Sequence, residues 1–247
     1  GILTRTFTYD ANGRPTARTV KNGSTVIQNF GYSFDSKTDN LTWRKDSVRN
    51  IKANFSYDNL NRLTGFAGKT VSYSNNGNIT SISNVGDFSY ENSRPHAIAS
   101  VTPYGTEVPL RSQQITYNAL RRPNTISENN FVASFTYNGE GEKVKMNIKK
   151  SNVDQVNKYY WGNQYEFETG IAGTKEILYL GGDAYSAAAV YVKEGSSSWA
   201  VYYLCRDYLG SITHIVNSSG GIKQELSYDP WGRLRNPVNQ ALYAVDT

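Results

Sequence analysis

Few side chains in this sequence could do chemistry. There are two histidines, His96 and His214, and one cysteine, Cys205. Cys205 and His214 flank a Leu209-Gly210-Ser211 turn signal, and a hairpin there could bring a thiol to an imidazole base. No third ligand or triad partner accompanies them, so both histidines read as packed or surface side chains and Cys205 as a free buried thiol. Asp207 and Asp229 could form a carboxylate pair for acid–base or glycoside chemistry, which needs them within about 10 Å of each other. The preferred reading is that each caps a turn, because an Asp side chain bonds backbone two residues on. Trp161, Trp199 and Trp231 could line a sugar groove, although tryptophan in an aromatic-rich sheet more often packs. No phosphate loop, dinucleotide fingerprint, EF-hand loop or His-Glu-x-x-His motif is present. No catalytic, cofactor-binding or metal-binding residue is therefore assigned. The chain is expected to need no cofactor and to be non-enzymatic by itself.

Composition narrows the remaining classes. Aromatics make up 13% of the 247 residues, against a hydrophobic fraction of 38%. A disordered chain would be poor in aromatics, and a helix bundle rich in Ala, Leu, Glu and Lys. The net charge of +5 comes without clustering, since no Lys/Arg run exceeds a pair such as Arg121-Arg122 or Lys149-Lys150. A solvated surface explains that better than a nucleic-acid partner. One cysteine excludes an internal disulfide framework. No run of eighteen apolar residues exists, so no membrane-spanning helix is expected. Asn-x-Ser/Thr triplets at Asn22, Asn40, Asn54, Asn78 and Asn217 would matter only in a eukaryotic secretory route. Gly1-Ile2-Leu3-Thr4 begins inside a structured pattern, so the chain reads as an excised piece whose missing signal peptide says nothing about secretion.

A four-residue pattern organises the whole sequence. It runs apolar or aromatic, Ser/Thr, aromatic, small polar or acidic. The copies are Phe7-Thr8-Tyr9-Asp10, Tyr32-Ser33-Phe34-Asp35, Phe55-Ser56-Tyr57-Asp58, Val71-Ser72-Tyr73-Ser74, Phe88-Ser89-Tyr90-Glu91, Ile115-Thr116-Tyr117-Asn118, Phe135-Thr136-Tyr137-Asn138 and Leu226-Ser227-Tyr228-Asp229. Their spacing is unequal, short from Tyr57 to Tyr73 and long from Tyr90 to Tyr117. Alternation puts the two large side chains of each copy on one face of a strand and the Ser/Thr on the other. Aromatic and β-branched residues suit a half-buried pleated surface. The residue after the second ring opens a turn, and Asn12-Gly13 and Asn76-Gly77 stand where a tight reversal with positive φ is needed. Return strands alternate too. Val144, Met146 and Ile148 share a face, and so do Ile222, Leu226 and Tyr228, with Gln224 the one polar intruder. The expectation is all-β: one long antiparallel sheet of consecutive hairpins, with about twenty strands at about 4.8 Å each. Tyr9, Phe34, Tyr57, Tyr73, Tyr90, Tyr117, Tyr137 and Tyr228 are the candidates for its stacked apolar face. Asp10, Gly13, Asp58, Arg62, Gly77, Asp207, Gly210, Asp229 and Gly232 are the candidates for its turns.

At these residues the chain resembles the YD-repeat family, also called the Rhs repeats. The best copies are Tyr57 to Thr64 and Tyr9 to Arg14; Tyr73 to Ile79 and Tyr117 to Pro123 are degenerate ones. Arg94-Pro95-His96-Ala97-Ile98 is similar to an element found between such repeats. Tyr203 to Ile212, continuing to Tyr228-Asp229-Pro230-Trp231-Gly232-Arg233, resembles the start of the family's associated core region. The resemblance implies a repeat array over residues 1–200 and the start of the core region over 201–247, continuous with the same sheet. It implies a strip curved into part of a hollow shell that encloses a C-terminal toxic domain in bacterial members and insecticidal toxin complexes. In toxin members an aspartate-dependent self-cleavage element carries paired Asp-Pro-x-Gly motifs. Here Asp229-Pro230-Trp231-Gly232 is the one match, in the repeat position upstream of that element, so protease activity is not carried over to Asp229. The implied partners are the remaining repeats and the C-terminal domain of the same parent chain, secreted or at the cell surface. Teneurin shells imply the alternative of a module that binds a cell-surface glycan or receptor. A glycoside hydrolase or a self-cleaving aspartyl protease is the less favoured alternative.

Overall fold

The computed structural model describes residues 2–105 and 113–243. Among them are 23 β-strands and no helix. Ten strands, from β1 (Leu3–Tyr9) to β10 (Ile98–Pro103), form one sheet, and eleven, from β11 (Gln113–Tyr117) to β21 (Ile222–Glu225), form a second. Order in space equals order along the chain in both, so each open sheet is a run of hairpins. The alternation read from sequence is visible strand by strand. In β5 (Ile51–Tyr57), Ala53 is buried and Phe55 and Tyr57 half-buried, while Lys52, Asn54 and Ser56 between them are exposed.

The chain divides into two compact units, residues 1–109 with 225–247, and residues 110–224. In the first, Phe66, Val71 and Ile82 are buried together, with Phe55, Leu63, Tyr73, Ile79, Val85 and Phe88 packed around them. In the second, the buried side chains include Ala187, Ala189, Val190, Leu204, Cys205 and Val216. No described helix is long and apolar enough to cross a membrane.

Two expectations of continuity are corrected. The strands form two sheets of ten and eleven rather than one run. The expected strand Ile222–Tyr228 also breaks at Leu226, beside the polar intruder Gln224. Its first half is β21, while Ser227–Tyr228 (β22) pairs with Leu234–Arg235 (β23) in a two-stranded sheet of its own. Residues 225–243 cluster with the first unit.

Candidate functional site

The residues that recur build one local device, repeated along both sheets. Asp58 shows it in full. Its N–H donates to Arg62 O at 3.0 Å, and Asn61 N–H donates back to Asp58 O at 3.0 Å. Its Oδ1 accepts the amides of Leu60 (2.9 Å) and Arg62 (3.0 Å), and its Oδ2 accepts Arg62 Nε at 2.6 Å. The same closure opens at Asp10, Ser74, Asn118, Asn138, Asp207, Asn217 and Asp229. In all of these but Ser74, a side-chain Oδ1 accepts the amides two and four residues on.

The tight reversal expected at Asn-Gly is a three-residue loop. Only the third residue after the opener is left-handed: Gly13 (φ 79°), Asn61 (59°), Gly77 (88°), Arg121 (58°), Gly141 (80°), Gly210 (91°), Gly220 (88°) and Gly232 (84°). Asn12 and Asn76 are not among the positive-φ residues. A loop of this kind carries its extra residue as a bulge. A further register shift lies opposite the motif's second aromatic and leaves one return-strand residue unpaired: Thr8 pairs with Ala17 but Tyr9 with Pro15, skipping Thr16, and Ser56 with Gly65 but Tyr57 with Leu63, skipping Thr64. The same shift occurs at Tyr73, Tyr117 and Tyr137.

The displaced ring ties one hairpin to the one before it. Tyr73 Oη donates to Leu63 O, Tyr90 Oη to Ile79 O and Tyr137 Oη to Pro123 O, each at 2.8 Å. In each case the acceptor follows directly on the previous turn. The turn arginine covers the same ring, with Arg62 Cζ 4.5 Å from the Tyr73 centroid and Arg122 Cζ 5.8 Å from that of Tyr137. Burial raises the phenol pKa of Tyr73 and of Tyr57. On the exposed face the motif's Ser/Thr meets a hydroxyl of the return strand: Thr8 with Thr16 (2.8 Å), Ser89 with Ser100 (2.7 Å), Thr116 with Thr125 (2.6 Å). Turns also clasp their neighbours. Arg14 Nη1 donates to Asp35 O (2.9 Å) and Asp39 Oδ1 (2.8 Å), and Asn40 Nδ2 to Asn61 Oδ1 (2.8 Å).

Of the aromatics proposed for a stacked face, Phe34, Tyr57, Tyr73, Tyr90, Tyr137 and Tyr228 are half-buried. Tyr9 and Tyr117 depart from the expectation, being 60% and 61% exposed. They lie on β1 and β11, the first described strand of each sheet, where no described return strand of that sheet precedes to cover the ring.

The acidic turn residues carry a pH dependence. The carboxyls of Asp10 and Asp58 are held below their ordinary value of 3.8, first by the backbone amides of Arg14 and Arg62, which with those arginines' side chains outweigh an opposing effect of burial that is second in size. A folded-state pKa below the unfolded one gives stability that is complete above the unfolded value and lost as the carboxyl protonates. The urea midpoint should therefore hold from neutral pH to about 5 and fall below about 4. Asp58→Asn should show a smaller acid decline, because asparagine keeps the amide contacts and does not titrate. An acid decline equal to wild type would contradict the assignment.

The residues weighed for catalysis are placed as follows. Oδ1 of Asp207 and Oδ1 of Asp229 each accept two backbone amides within their own turns, so the carboxylate-pair reading has no support in their local geometry. Cys205 and His214 are direct register partners in β19 (Ala200–Arg206) and β20 (Ile212–Asn217), and both are buried. Thr213 Oγ1 donates to Cys205 O at 3.2 Å and lies 3.1 Å from His214 Nδ1. His96 is exposed, its Nδ1 2.7 Å from Asn78 Oδ1. Among the described residues no group of three or more His, Cys, Asp or Glu is placed to hold a metal.

Two of the three tryptophans weighed for a sugar groove, Trp161 and Trp199, lie on one exposed aromatic surface of the second unit, while Trp231 lies in the other unit. Register places Trp161, Tyr165, Leu178, Tyr191 and Val201 in line across β15 (Val153–Trp161), β16 (Tyr165–Gly170), β17 (Gly173–Leu180), β18 (Ala189–Glu194) and β19. Trp161 lies 5.5 Å from Tyr165 and 5.8 Å from Tyr159, and Tyr191 meets Trp199 edge-on at 6.4 Å. Trp161, Tyr191 and Trp199 are exposed. Trp231, in the other unit, is half-covered by Phe66, ring centroids 4.6 Å apart.

No protein-family model matches the sequence. A curated relative, the tRNA3(Ser)-specific nuclease WapA of Bacillus spizizenii, is 26% identical over 231 residues, covering 92% of this chain and 7% of its own length. The Tc holotoxin pore of Photorhabdus luminescens is similar in structure, with a TM-score of 0.72 at 14% identity, over 94% of this chain and 14% of that one. The TcdB2–TccC3 assembly without its hypervariable C-terminal region gives a TM-score of 0.77 at 16% identity, over 99% of this chain and 15% of that one. The chain thus spans a small fraction of each protein it matches. What these structures share with it is the fold, an open antiparallel β-sheet array.

Proposed function

We propose that this chain is a wall segment of a bacterial YD-repeat, or Rhs-repeat, protein, and that the intact parent is secreted or surface-exposed and encloses or presents a C-terminal domain, most simply a toxin. The observation that carries this is the repeated device itself. The Asx residues close their own turns, Tyr73, Tyr90 and Tyr137 bond the preceding return strand, and Arg62 and Arg122 lie over the rings of Tyr73 and Tyr137. The likeness to Tc toxin assemblies supports a shell as the larger context, since the resemblance noted in the sequence groups toxin-complex subunits with the repeats. The nuclease activity in the WapA name is assigned to no residue of this chain. The partners are the remaining repeats and the enclosed domain. The test is limited proteolysis of the intact parent. The C-terminal domain should survive inside the parent under conditions that degrade the same domain alone; equal cleavage rates would overturn the proposal.

A second reading has one specific observation in its favour, the exposed Trp161–Tyr191–Trp199 face. Aromatic rings presented together stack on the apolar faces of sugars. On this reading the chain is a carbohydrate- or receptor-binding module. Saturable binding on a glycan array, lost in Trp161→Ala and Trp199→Ala together, would establish it, and a blank array would remove it.

A further inference from the structure

Arg235, on β23, is the one buried arginine among the described residues, at 9% exposure. Among the described residues its guanidinium makes one hydrogen bond, Nε to Ser227 Oγ at 3.1 Å, and has no carboxylate within ion-pair distance. It lines a cavity of about 370 Å³ whose walls also include Lys52, Ala53, Asn54, Ala67 and Gln240. Arg44, on β4 (Leu41–Asp46), is a second cation close enough to act on it. Arg44 donates Nη2 to Tyr228 O at 2.7 Å and lies over the Phe55 ring, with no carboxylate partner among the described residues. Burial first, then the charge of Arg44, pushes the Arg235 guanidinium down to about 10. Asp229 opposes that shift weakly; its Oδ1 is committed to the amides of Trp231 and Arg233. All these residues belong to one compact unit.

A buried cation carries a large desolvation cost unless an opposite charge accompanies it. Four other described arginines, Arg14, Arg49, Arg62 and Arg94, are each matched to a carboxylate. A guanidinium presents a planar fork of donors that fits the two oxygens of a carboxylate or phosphate. The cavity is within the range of small-ligand sites. We propose that Arg235, with Arg44 beside it, forms an oxyanion-binding site that takes a carboxylate or phosphate group. A dissolved anion and a carboxylate carried by another part of a longer parent offer the site the same chemistry, and the test separates them.

The melting temperature of this chain is followed while inorganic phosphate, and separately acetate, replaces chloride at constant ionic strength. A saturating rise of about 4 °C is expected with at least one anion, absent in Arg235→Gln. Should that variant fail to fold, Arg44→Gln, which is less buried, should weaken the response severalfold. In anion-free buffer Arg235→Met should melt no lower than wild type, because it removes an uncompensated buried charge. The same titration of the intact parent identifies the source. A response there too assigns the site to a dissolved anion, and a response confined to the shorter chain assigns it to the parent's own carboxylate. A flat titration of the wild-type chain overturns the proposal, as does Arg235→Met melting several degrees below wild type.

Discussion

Replacing Tyr73 by alanine is expected to destabilise the first compact unit by about 3 kcal/mol. The ring packs against Phe66, Val71 and Ile82, its hydroxyl holds Leu63 O at 2.8 Å, and the Arg62 guanidinium lies over its face at 4.5 Å. Tyr73→Phe keeps the packing and removes the hydroxyl, so it should cost about 1 kcal/mol. Arg62→Met should cost less again, because the stack is partly solvated and such contacts are worth about 0.5–1 kcal/mol. A double-mutant cycle between Arg62 and Tyr73 should show coupling, since the two residues touch. Urea unfolding measures all of these, with the slope unchanged if only stability moves. An alanine variant that overlays wild type would show that the ring does not join neighbouring hairpins.

The second large effect is expected at Gly86. This residue pairs with Ile82 on one side and Pro103 on the other, and its φ is 151°, a region side chains rarely adopt. A Cβ there would meet Thr102 O at 2.2 Å and Pro103 Cα at 2.9 Å. Both obstacles are backbone of a paired strand, so relief means moving that strand. Backbone strain and steric overlap together should make Gly86→Ala cost more than about 3 kcal/mol. Gly68→Ala is the matched control. It also has positive φ, 80°, but nothing lies within 4 Å of its added carbon, so its cost should stay near 1 kcal/mol. Equal melting temperatures for the two variants would contradict the packing described around β10.

Both predictions rest on a device whose parts were legible in the sequence to different degrees. The alternation of Phe55, Ser56 and Tyr57 identified strand, face and repeat, because period two is a direct consequence of the pleat. The acidic or amide opener identified the turn, because its side-chain bonds are local. The loop length was also present in the sequence, in the constant offset from Asp10 to Gly13, Asp58 to Asn61 and Asp207 to Gly210. The more familiar Asn12-Gly13 pair masked it. What pattern could not give was tertiary. Tyr9 and Tyr57 stand in near-identical motifs, yet one is exposed and one half-buried, since exposure depends on whether a strand precedes. Arg235 and Arg62 are both arginines near turns, yet only Arg62 has its carboxylate in the adjacent motif. The aromatic face of Trp161 and Tyr191 arises from register across several strands, which hairpin loops set one after another and no single strand records.

On the function proposed above, these hairpins are wall, built to surround another part of the same polypeptide. A cryo-electron microscopy map of the intact parent tests it most directly. The claim predicts that both sheets, β1 to β10 and β11 to β21, lie in the wall, with the Tyr73 and Tyr137 hydroxyls on the preceding strands and density for the C-terminal domain within the enclosed volume. A map in which this segment stands apart, solvated on both faces, with the C-terminal domain elsewhere, would contradict it.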